Sequence, residues 1–361
     1  MTLPFRVESS DINDLTDLQL TRLLDLLLRL EARAFGIAER AVEVALNIRV
    51  PDGGEDGRIQ WQGGPDSTDF IPQRFTQFQN KATDMGPTKC ANELVTSGGE
   101  VKPLVDEALT NSAAYILFTT QEQNQDQKTA NVAAMRERLE NLGKAYAQTA
   151  NIQVYDASKI AGWVNRYLSA IVAVLNWVGR PLERGLKTWA DWGQHPEYQS
   201  FPFIADPERR DAIAGLRELL TTKTRKCARC MGLSGLGKTR LAFEIFRDPG
   251  PTDDLSKRVV YVDSSANSNI PGLVTDWVQC GIEGIFVVDN CDITLHDRLR
   301  REIQRLDSKL SLLTLDYNVD RASETEIVHL KPMADEYIKE MLHPVYGEKI
   351  SDLDRIVTFA Q

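Results

Sequence analysis

Blocks of apolar residues with two different spacings run along the chain and predict a mixture of helices and strands. Leucines at helical spacing predict a helix over residues 15–35, and Thr16 with Gln19 forms a capping box at its start. Runs that alternate between apolar and polar residues, or that are continuously apolar, predict strands. In the first half of the chain, strands are predicted at 41–50, 58–61, 74–81, 114–120 and 152–155, and further helices at 94–109, 129–146 and 158–177.

In the second half, predicted strands and helices follow each other in turn. Strands are predicted at 226–231, 259–263, 284–290, 309–315 and 326–330, and helices at 207–220, 239–246, 270–280, 295–306 and 333–342. Such alternation is typical of a parallel sheet covered by helices. Between the halves, residues 179–200 contain prolines, glycines and tryptophans in no regular period, which predicts a linker whose tryptophans pack between two domains. The predicted domains are residues 1–178 and 201–361.

A phosphate-binding loop lies between the predicted strand at 226–231 and the helix that follows it. Residues 232–239 have the pattern G-x-x-x-x-G-K-T. Gly232, Gly237, Lys238 and Thr239 stand at its fixed positions, and Gly235 is a further glycine within the loop. Glycines allow successive backbone N–H groups to face an anion, the lysine reaches the β- and γ-phosphates, and the threonine hydroxyl binds Mg²⁺. The sequence therefore predicts binding of ATP with Mg²⁺, with Arg240 next in the same loop–helix segment.

The apolar run that ends at Asp289 completes this nucleotide site. A buried parallel strand delivers one carboxylate beside the bound Mg²⁺, which is the arrangement called Walker B. Thr314, in the strand at 309–315, is predicted as a sensor of the γ-phosphate. The helix at 295–306 carries Arg298, Arg300, Arg301 and Arg305. These arginines form either a solvated face or a contact to the nucleotide of a neighbouring subunit.

The composition of the chain limits the partners that it can bind and the compartment in which it is expected. A net charge of −10 excludes a chain that binds polyanions over its whole surface, so any contact to nucleic acid needs a local basic surface or the assembly of several copies. The N-terminus has no basic and apolar leader, and no apolar stretch is long enough to cross a membrane, so a cytoplasmic protein is expected. The five cysteines are scattered, and Cys227 and Cys230 fit a strand core better than a zinc or redox site.

A second polar constellation is predicted in the first half. Gln79 and Lys81 are two residues apart on a predicted strand and share one face, and a hairpin can bring Asp56 near that face. Glu31 continues the apolar stripe of the first helix and is either a buried fourth member of the group or a solvated residue at the helix end. Glu93 is an alternative acid, which an exposed helix start explains equally well.

This constellation resembles the PD-(D/E)xK nuclease core in its Q-x-K variant. The resemblance implies a restriction-endonuclease-like α/β/α domain that cleaves DNA with Mg²⁺, with Asp56, Gln79 and Glu31 as metal ligands. It implies that Lys81 orients or activates the attacking water. Gln79 stands where most of the superfamily has an acid, which removes one charge from the metal site.

The second half resembles the STAND class of AAA-like signalling NTPases, through the residues 232–240 and 330–333 and the strand series. Together the two halves resemble bacterial antiviral STAND proteins with a nuclease effector. The resemblance implies that a phage protein is sensed by a C-terminal region, that ATP drives homo-oligomerisation, and that paired nuclease domains then cut double-stranded DNA. The sensor region expected of that family does not follow here, and the chain is expected to be part of a longer protein.

A second hypothesis belongs to a different class. The chain could be a nucleotide-switched scaffold whose N-terminal domain binds DNA or a partner without cleaving it, and the neutral Gln79 favours this alternative. A translocating restriction motor is disfavoured because no helicase-type motif set follows Asp289.

Overall fold

The computed structural model describes residues 5–46, 55–182, 185–194, 202–222, 225–247, 255–266, 269–317 and 325–346. Residues 47–50, the end of the strand predicted at 41–50, lie outside these ranges. The described residues up to Arg180 form one compact unit, and those from Pro181 onward form a second. Both units are mixed α/β. Within the described ranges, no helix is long and apolar enough to traverse a lipid bilayer.

The first unit contains a sheet of five described strands with helices packed against it. The strands are β1 (Val42–Val44), β2 (Gly57–Gln60), β3 (Phe75–Lys81), β4 (Ala114–Thr119) and β5 (Asn151–Tyr155). The helices are α1 (Ser9–Asn13), α2 (Asp17–Ala34), α3 (Pro87–Glu93), α4 (Pro103–Thr110), α5 (Gln125–Asn141), α6 (Ala157–Val164) and α7 (Leu168–Trp177). The capping box of Thr16 and Gln19 is confirmed at the start of α2.

The strand order of this sheet is β1-β2-β3-β4-β5. The first three strands form an antiparallel meander, whereas β3, β4 and β5 run parallel and are joined through helices. In β3, Gln77, Gln79 and Lys81 share one face, because side chains alternate along a strand. The opposite face carries Phe78, which meets Phe118 edge to face at 6.3 Å. The polar row of β3 therefore lies opposite an aromatic core.

Three predicted helices have different bounds in the structure. The helix predicted at 94–109 is replaced by α3 and α4, because a Val95–Val101 bridge with Gly99 at positive φ separates them and Pro103 starts a new helix. The helix predicted at 129–146 is α5, which begins at the Asn124 cap. The single helix predicted at 158–177 is divided into α6 and α7.

A polar contact fills the break between α6 and α7. Asn165 Oδ1 accepts a hydrogen bond from Val7 N at 2.9 Å, and Asn165 Nδ2 donates to Val7 O at 2.8 Å. The asparagine thereby pairs with the backbone of the N-terminal segment as a neighbouring strand would. This contact engages the side chain of Asn165 where α6 ends. The apolar periodicity on either side carries no sign of such a contact, so the sequence predicted a single helix.

The second unit contains a sheet of six described strands. These are β6 (Lys187–Thr188), β7 (Cys227–Met231), β8 (Val259–Asp263), β9 (Glu283–Asp289), β10 (Lys309–Asp316) and β11 (Glu326–His329). The helices are α8 (Trp189–Trp192), α9 (Pro207–Thr222), α10 (Lys238–Ile245), α11 (Ile270–Gln279), α12 (Ile293–Ile303) and α13 (Asp335–Tyr346). The strand order is β11-β7-β10-β9-β8-β6, so β10 lies between β7 and β9. All neighbours are parallel except β6, which pairs antiparallel with β8.

The region predicted as a linker carries ordered structure between Lys187 and Trp192. There β6 extends the second sheet and α8 packs against it. Trp189 stacks on Phe243 at 4.6 Å and Trp192 on Tyr261 at 4.3 Å. The prediction that these tryptophans pack between two domains is therefore wrong, because their partners belong to the core of the second unit.

A buried ion pair lies within the second sheet, behind the phosphate loop. Arg229 of β7 donates from Nη2 to Asp316 Oδ2 of β10 at 2.7 Å, and the two side chains are 0% and 3% exposed. Gly232 N, at the start of the loop, donates to Asp316 O at 3.2 Å. The pair therefore fixes the end of β10 against the strand that leads into the loop.

Replacing Arg229 with methionine should destabilise the second unit by about 3–5 kcal/mol, because a buried carboxylate then loses its partner. The double variant Arg229→Met with Asp316→Leu should recover most of that loss. Urea titration of each variant measures this difference. Arg305→Met, which removes an exposed ion pair with Asp307, is the matched control and should leave the midpoint unchanged. A double variant no more stable than Arg229→Met alone would contradict the prediction.

Candidate functional site

The phosphate loop has the backbone that its glycines permit. Gly235 and Gly237 have φ of +86° and +81°, in the left-handed region that favours glycine. A Cβ on Gly232 would lie 2.8 Å from the carbonyl oxygen of Leu330, so that position needs glycine for a close backbone approach. The loop leads from β7 directly into α10, whose positive end faces the loop. The second unit thus has the strand–loop–helix core of a P-loop nucleotide-binding fold.

Lys238 curls back over this loop. Its Nζ donates to the carbonyl oxygens of Gly232 and Leu233, both at 2.8 Å. Burial lowers the pKa of the Lys238 ammonium below its usual range, while Cys230 and Asp289 oppose that shift. An anion of the size of a phosphate can replace the two carbonyls as the partner of this ammonium.

Thr239 and Asp289 meet where a nucleotide-bound Mg²⁺ is held in P-loop proteins. Thr239 Oγ1 donates to Asp289 Oδ2 at 2.7 Å, and Tyr261 OH donates to the same oxygen at 3.1 Å. Asp289 is only 7% exposed at the end of β9. A hydroxyl and a carboxylate at this distance supply the hard oxygen ligands that Mg²⁺ prefers, so the residues present fit the ion.

Two other predicted members of the nucleotide site have side-chain partners of their own. Arg240 Nε donates to Glu244 Oε1 at 2.8 Å within α10. Thr314 is fully buried, and its Oγ1 is 2.8 Å from His296 Nδ1. Its neighbours Leu313 and Leu315 point into the core around α10, so alternation along β10 places Thr314 on the opposite face of the sheet. The hydroxyl of Thr314 therefore faces His296 rather than the phosphate loop.

His296 is held neutral in this position. Burial, together with the charge of Arg229, lowers its pKa to about 4. Its Nε2 lies 3.0 Å from Thr325 Oγ1, so both ring nitrogens have hydroxyl partners. The histidine links β10 to the segment that precedes β11.

In the first unit, Asp56 and Gln79 are in direct contact. Asp56 Oδ2 accepts hydrogen bonds from Gln79 Nε2 at 2.5 Å and from Asn80 N at 2.6 Å. Asp56 N donates to Phe78 O at 3.1 Å, which continues the β2–β3 ladder by one more step. The hairpin inferred from the sequence thus brings the aspartate to the polar face of β3.

The side-chain oxygen of Gln79 is a buried acceptor without a protein partner among the described residues. Gln79 is 3% exposed, and its Oε1 accepts no hydrogen bond, although its Nε2 is bonded to Asp56. Buried polar atoms are nearly always satisfied, so an orphan acceptor beside a carboxylate points to an absent cation or water. The amide oxygen of Gln79 and the carboxylate of Asp56 are the kind of ligand that a hard divalent cation such as Mg²⁺ prefers.

Lys81 has a carboxylate partner, and it is Glu93. Lys81 Nζ lies 3.0 Å from Glu93 Oε2, and Lys102 Nζ lies 3.6 Å from the same oxygen. Glu93 is the last residue of α3, whereas the helix predicted from the sequence begins at position 94. Gly86 and Pro87, which start α3, were the signal that could have placed Glu93 at the end of a helix.

Glu31 does not join this group. It is 1% exposed, and its Oε2 accepts hydrogen bonds from Trp163 Nε1 at 2.9 Å and from Tyr167 OH at 2.8 Å. Its Oε1 accepts from Phe70 N at 3.3 Å. Of the two alternatives left open for Glu31, the structure shows the buried one, but three donors outside the group occupy the carboxylate. The acid that lies beside Lys81 is instead Glu93.

Neither site is built from acidic or histidine ligands alone. Among the described residues, no three His, Cys, Asp or Glu side chains converge in a way that could hold a metal. The oxygen sets are instead mixed, with a glutamine amide in the first unit and a threonine hydroxyl in the second. Such sets suit a cation that also binds phosphate oxygens of its substrate.

Comparison with known proteins gives partial likenesses. No protein-family model and no curated protein matches the chain. A chain of the HORMA:CdnC:Trip13 complex of E. coli MS115-1 is 14% identical over 43% of this chain and 72% of its own, with a TM-score of 0.31. The signal transduction ATPase with numerous domains (STAND) and a tetratricopeptide repeat sensor from Pyrococcus horikoshii is 14% identical over 45% and 28%, with a TM-score of 0.28. The Aeropyrum pernix ORC1 protein, solved with DNA, is 16% identical over 45% and 54%, with a TM-score of 0.32.

The chain spans less than two thirds of the length of the last two structures. Because these likenesses are partial, the function is inferred from the chemistry of the two sites.

Replacing Glu31 with alanine should destabilise the first unit by about 2–4 kcal/mol, because the buried donors of Trp163 and Tyr167 lose their acceptor. Glu31→Gln keeps an acceptor oxygen and should cost less. Thermal unfolding measures both losses, and Mg²⁺ titration of the folded variants tests the second role assigned to the residue. Loss of Mg²⁺ binding in a well-folded Glu31→Gln protein would show that Glu31 is a ligand after all.

Proposed function

We propose that the chain is a nucleotide-controlled DNA endonuclease, in which the second unit binds ATP with Mg²⁺ and the first unit cleaves double-stranded DNA with Mg²⁺. The observation that carries the nuclease assignment is the contact between Asp56 and Gln79, which leaves a buried amide oxygen without a partner on the face that also bears Lys81. Structural side chains in such a position are normally satisfied by the protein itself.

ATP binding is supported by the loop geometry. Thr239 Oγ1 and Asp289 Oδ2 would hold Mg²⁺, which would offset the charge of the nucleotide phosphates. Lys238 would exchange two loop carbonyls for phosphate oxygens. The left-handed glycines of the loop leave its N–H groups directed at the same anion.

In the first unit, each polar side chain has a distinct role in phosphodiester hydrolysis. Asp56 and the Gln79 oxygen would hold Mg²⁺, and the bound ion supplies Lewis-acid polarisation of the scissile phosphate. Lys81 would stabilise the attacking water in its deprotonated form or the charge of the phosphate. Glu93 would supply the second carboxylate of the site, because Gln79 is neutral. Lys102 would help to hold Glu93 beside Lys81.

We further propose that the chain acts in anti-phage defence. This step rests on the resemblance to antiviral STAND proteins, in which a phage protein triggers ATP-dependent assembly of copies. Assembly also answers an electrostatic problem, because a chain with a net charge of −10 gains from gathering several local basic surfaces on one DNA backbone.

One observation favours the alternative of a non-cleaving scaffold. Gln79 is a neutral ligand, and the ammonium of Lys81 is already paired with Glu93 at 3.0 Å. A nucleotide-switched domain that binds DNA without cutting needs no more than these groups. Cleavage assays with Mg²⁺ and with EDTA separate the two functions.

Lys238→Ala should weaken ATP binding about 100-fold, or ~3 kcal/mol, because the charge-assisted contacts to phosphate are lost. Isothermal titration with a non-hydrolysable ATP analogue and Mg²⁺ measures this change. Lys309→Ala, at an exposed lysine that begins β10, is the control and should bind as the wild type does. Equal affinities in all three proteins would refute the nucleotide site.

Lys81→Ala should lower the rate of Mg²⁺-dependent plasmid cleavage about 100- to 1,000-fold, because one electrostatic stabiliser of the transition state is removed. Nucleotide binding should stay unchanged. The matched control is Lys89→Ala, at a lysine whose ammonium donates to the backbone oxygen of Asp84. Undiminished cutting by Lys81→Ala would sink the nuclease assignment, and a wild-type chain that binds ATP and DNA without cutting would favour the scaffold.

A further inference from the structure

A second carboxylate lies beside Asp289 at the nucleotide-binding edge of the sheet. Asp263 is the last residue of β8, and the parallel register pairs it with Asp289, the last residue of β9. Aligned residues of neighbouring parallel strands point to the same face and lie about 4.8 Å apart between strands. Ligands of open α/β sheets bind at this carboxyl edge. Asp263 therefore faces the same side as Thr239 and the phosphate loop.

Asn290, the residue that follows Asp289, has no group that could take a proton from a water molecule. Asn290 is exposed and has φ of +52°, and its amide neither accepts a proton nor carries a charge. Its Nδ2 donates to Asp263 Oδ1 at 3.0 Å, and its carbonyl oxygen accepts from Ser264 Oγ at 2.6 Å. The asparagine thus serves as a clamp that holds the carboxylate of the neighbouring strand.

Asp263 is half-buried, and only one of its oxygens is engaged. Ser265 donates to Oδ1 from its backbone N at 2.9 Å and from its Oγ at 2.7 Å. Oδ2 accepts no hydrogen bond from the described residues. Burial opposes ionisation, but the hydrogen bonds of Asn290 and Ser265 and the charge of Lys187 outweigh it and lower the pKa of Asp263 below its usual range. An ionised oxygen is thus available at this edge.

The other carboxylates near the loop are committed elsewhere. Asp289 accepts from Thr239 and Tyr261 and is the group placed to hold Mg²⁺. Asp316 is paired with Arg229 in the buried sheet. Among the described residues that end the central strands, Asp263 is the carboxylate with an oxygen left over.

We propose that Asp263 is the catalytic residue that orients the water for ATP hydrolysis in the second unit. This inference rests on the proposed ATP site. Oδ2 accepts a hydrogen bond from the water, whose oxygen attacks the γ-phosphorus. The bond from that phosphorus to the β–γ bridging oxygen breaks, ADP leaves with the electron pair, and the proton of the water passes by way of Asp263 to the released phosphate or to solvent. Since the transition state of phosphoryl transfer is loose, positioning of the water matters more than basicity.

Asp263→Asn tests this role, because asparagine has the same shape and its Oδ1 still accepts from Ser265 N and Asn290 Nδ2. Steady-state ATP turnover should fall about 100-fold, as when one oriented polar group is removed from an active site. Affinity for the non-hydrolysable analogue should change less than twofold. Ser265→Ala, which weakens the local turn but keeps the carboxylate, is the control and should retain at least half of the turnover.

The outcomes are separable. Asp263→Asn that turns over ATP at the wild-type rate overturns the inference, and so does a wild-type chain that binds ATP without hydrolysing it. Equal loss of turnover in Ser265→Ala and Asp263→Asn would also overturn it, because the turn would then matter more than the charge. Absence of ATP binding in the wild type would refute the proposed nucleotide site itself, which is a different result.

Discussion

The second unit depends on the hydrogen bond between Thr239 and Asp289. It joins the first turn of α10 to the end of β9, although β10 lies between β9 and the strand that leads into the phosphate loop. A carboxylate that is 7% exposed needs such donors, because an unpaired buried charge is costly. The two hydroxyls of Thr239 and Tyr261 satisfy Asp289 without neutralising it. These hydrogen bonds keep a hydroxyl and a carboxylate together at the place where we propose that Mg²⁺ and the nucleotide bind.

Sequence reasoning succeeded where chemistry is local. The phosphate loop, its flanking strand and helix, and the strand ending at Asp289 follow from patterns within a few residues, because turn geometry and strand burial are dictated by neighbours in the chain. The approach of Asp56 to Gln79 was also predictable, since a hairpin has little freedom once its strands are placed and side chains alternate. The residues that complete each site could not be predicted from such local patterns.

The remaining positions depend on tertiary packing. Glu31 and Glu93 are both acids on helices, and nothing in their local sequence tells which one faces Lys81. Trp163 and Tyr167, more than a hundred residues away from Glu31 along the chain, supply the donors that hold it in the core. Thr314 likewise belongs to His296, through a helix whose rotation about its axis only packing decides. Such pairings need the register between elements, which hydrophobic periodicity does not contain.

The two sites share one device, a primary amide that holds an aspartate. Gln79 Nε2 donates to Asp56, and Asn290 Nδ2 donates to Asp263. An amide fixes the orientation of a carboxylate and leaves its charge intact, whereas a guanidinium, as in the pair of Arg229 with Asp316, cancels it. In these three pairs, the arginine holds a carboxylate that is buried within the sheet, and the amides hold the two carboxylates that we propose to face a ligand. On this argument Gln79 has two functions. Its Nε2 donates the hydrogen bond that orients Asp56, and its unpaired Oε1 is the oxygen that we propose as a metal ligand.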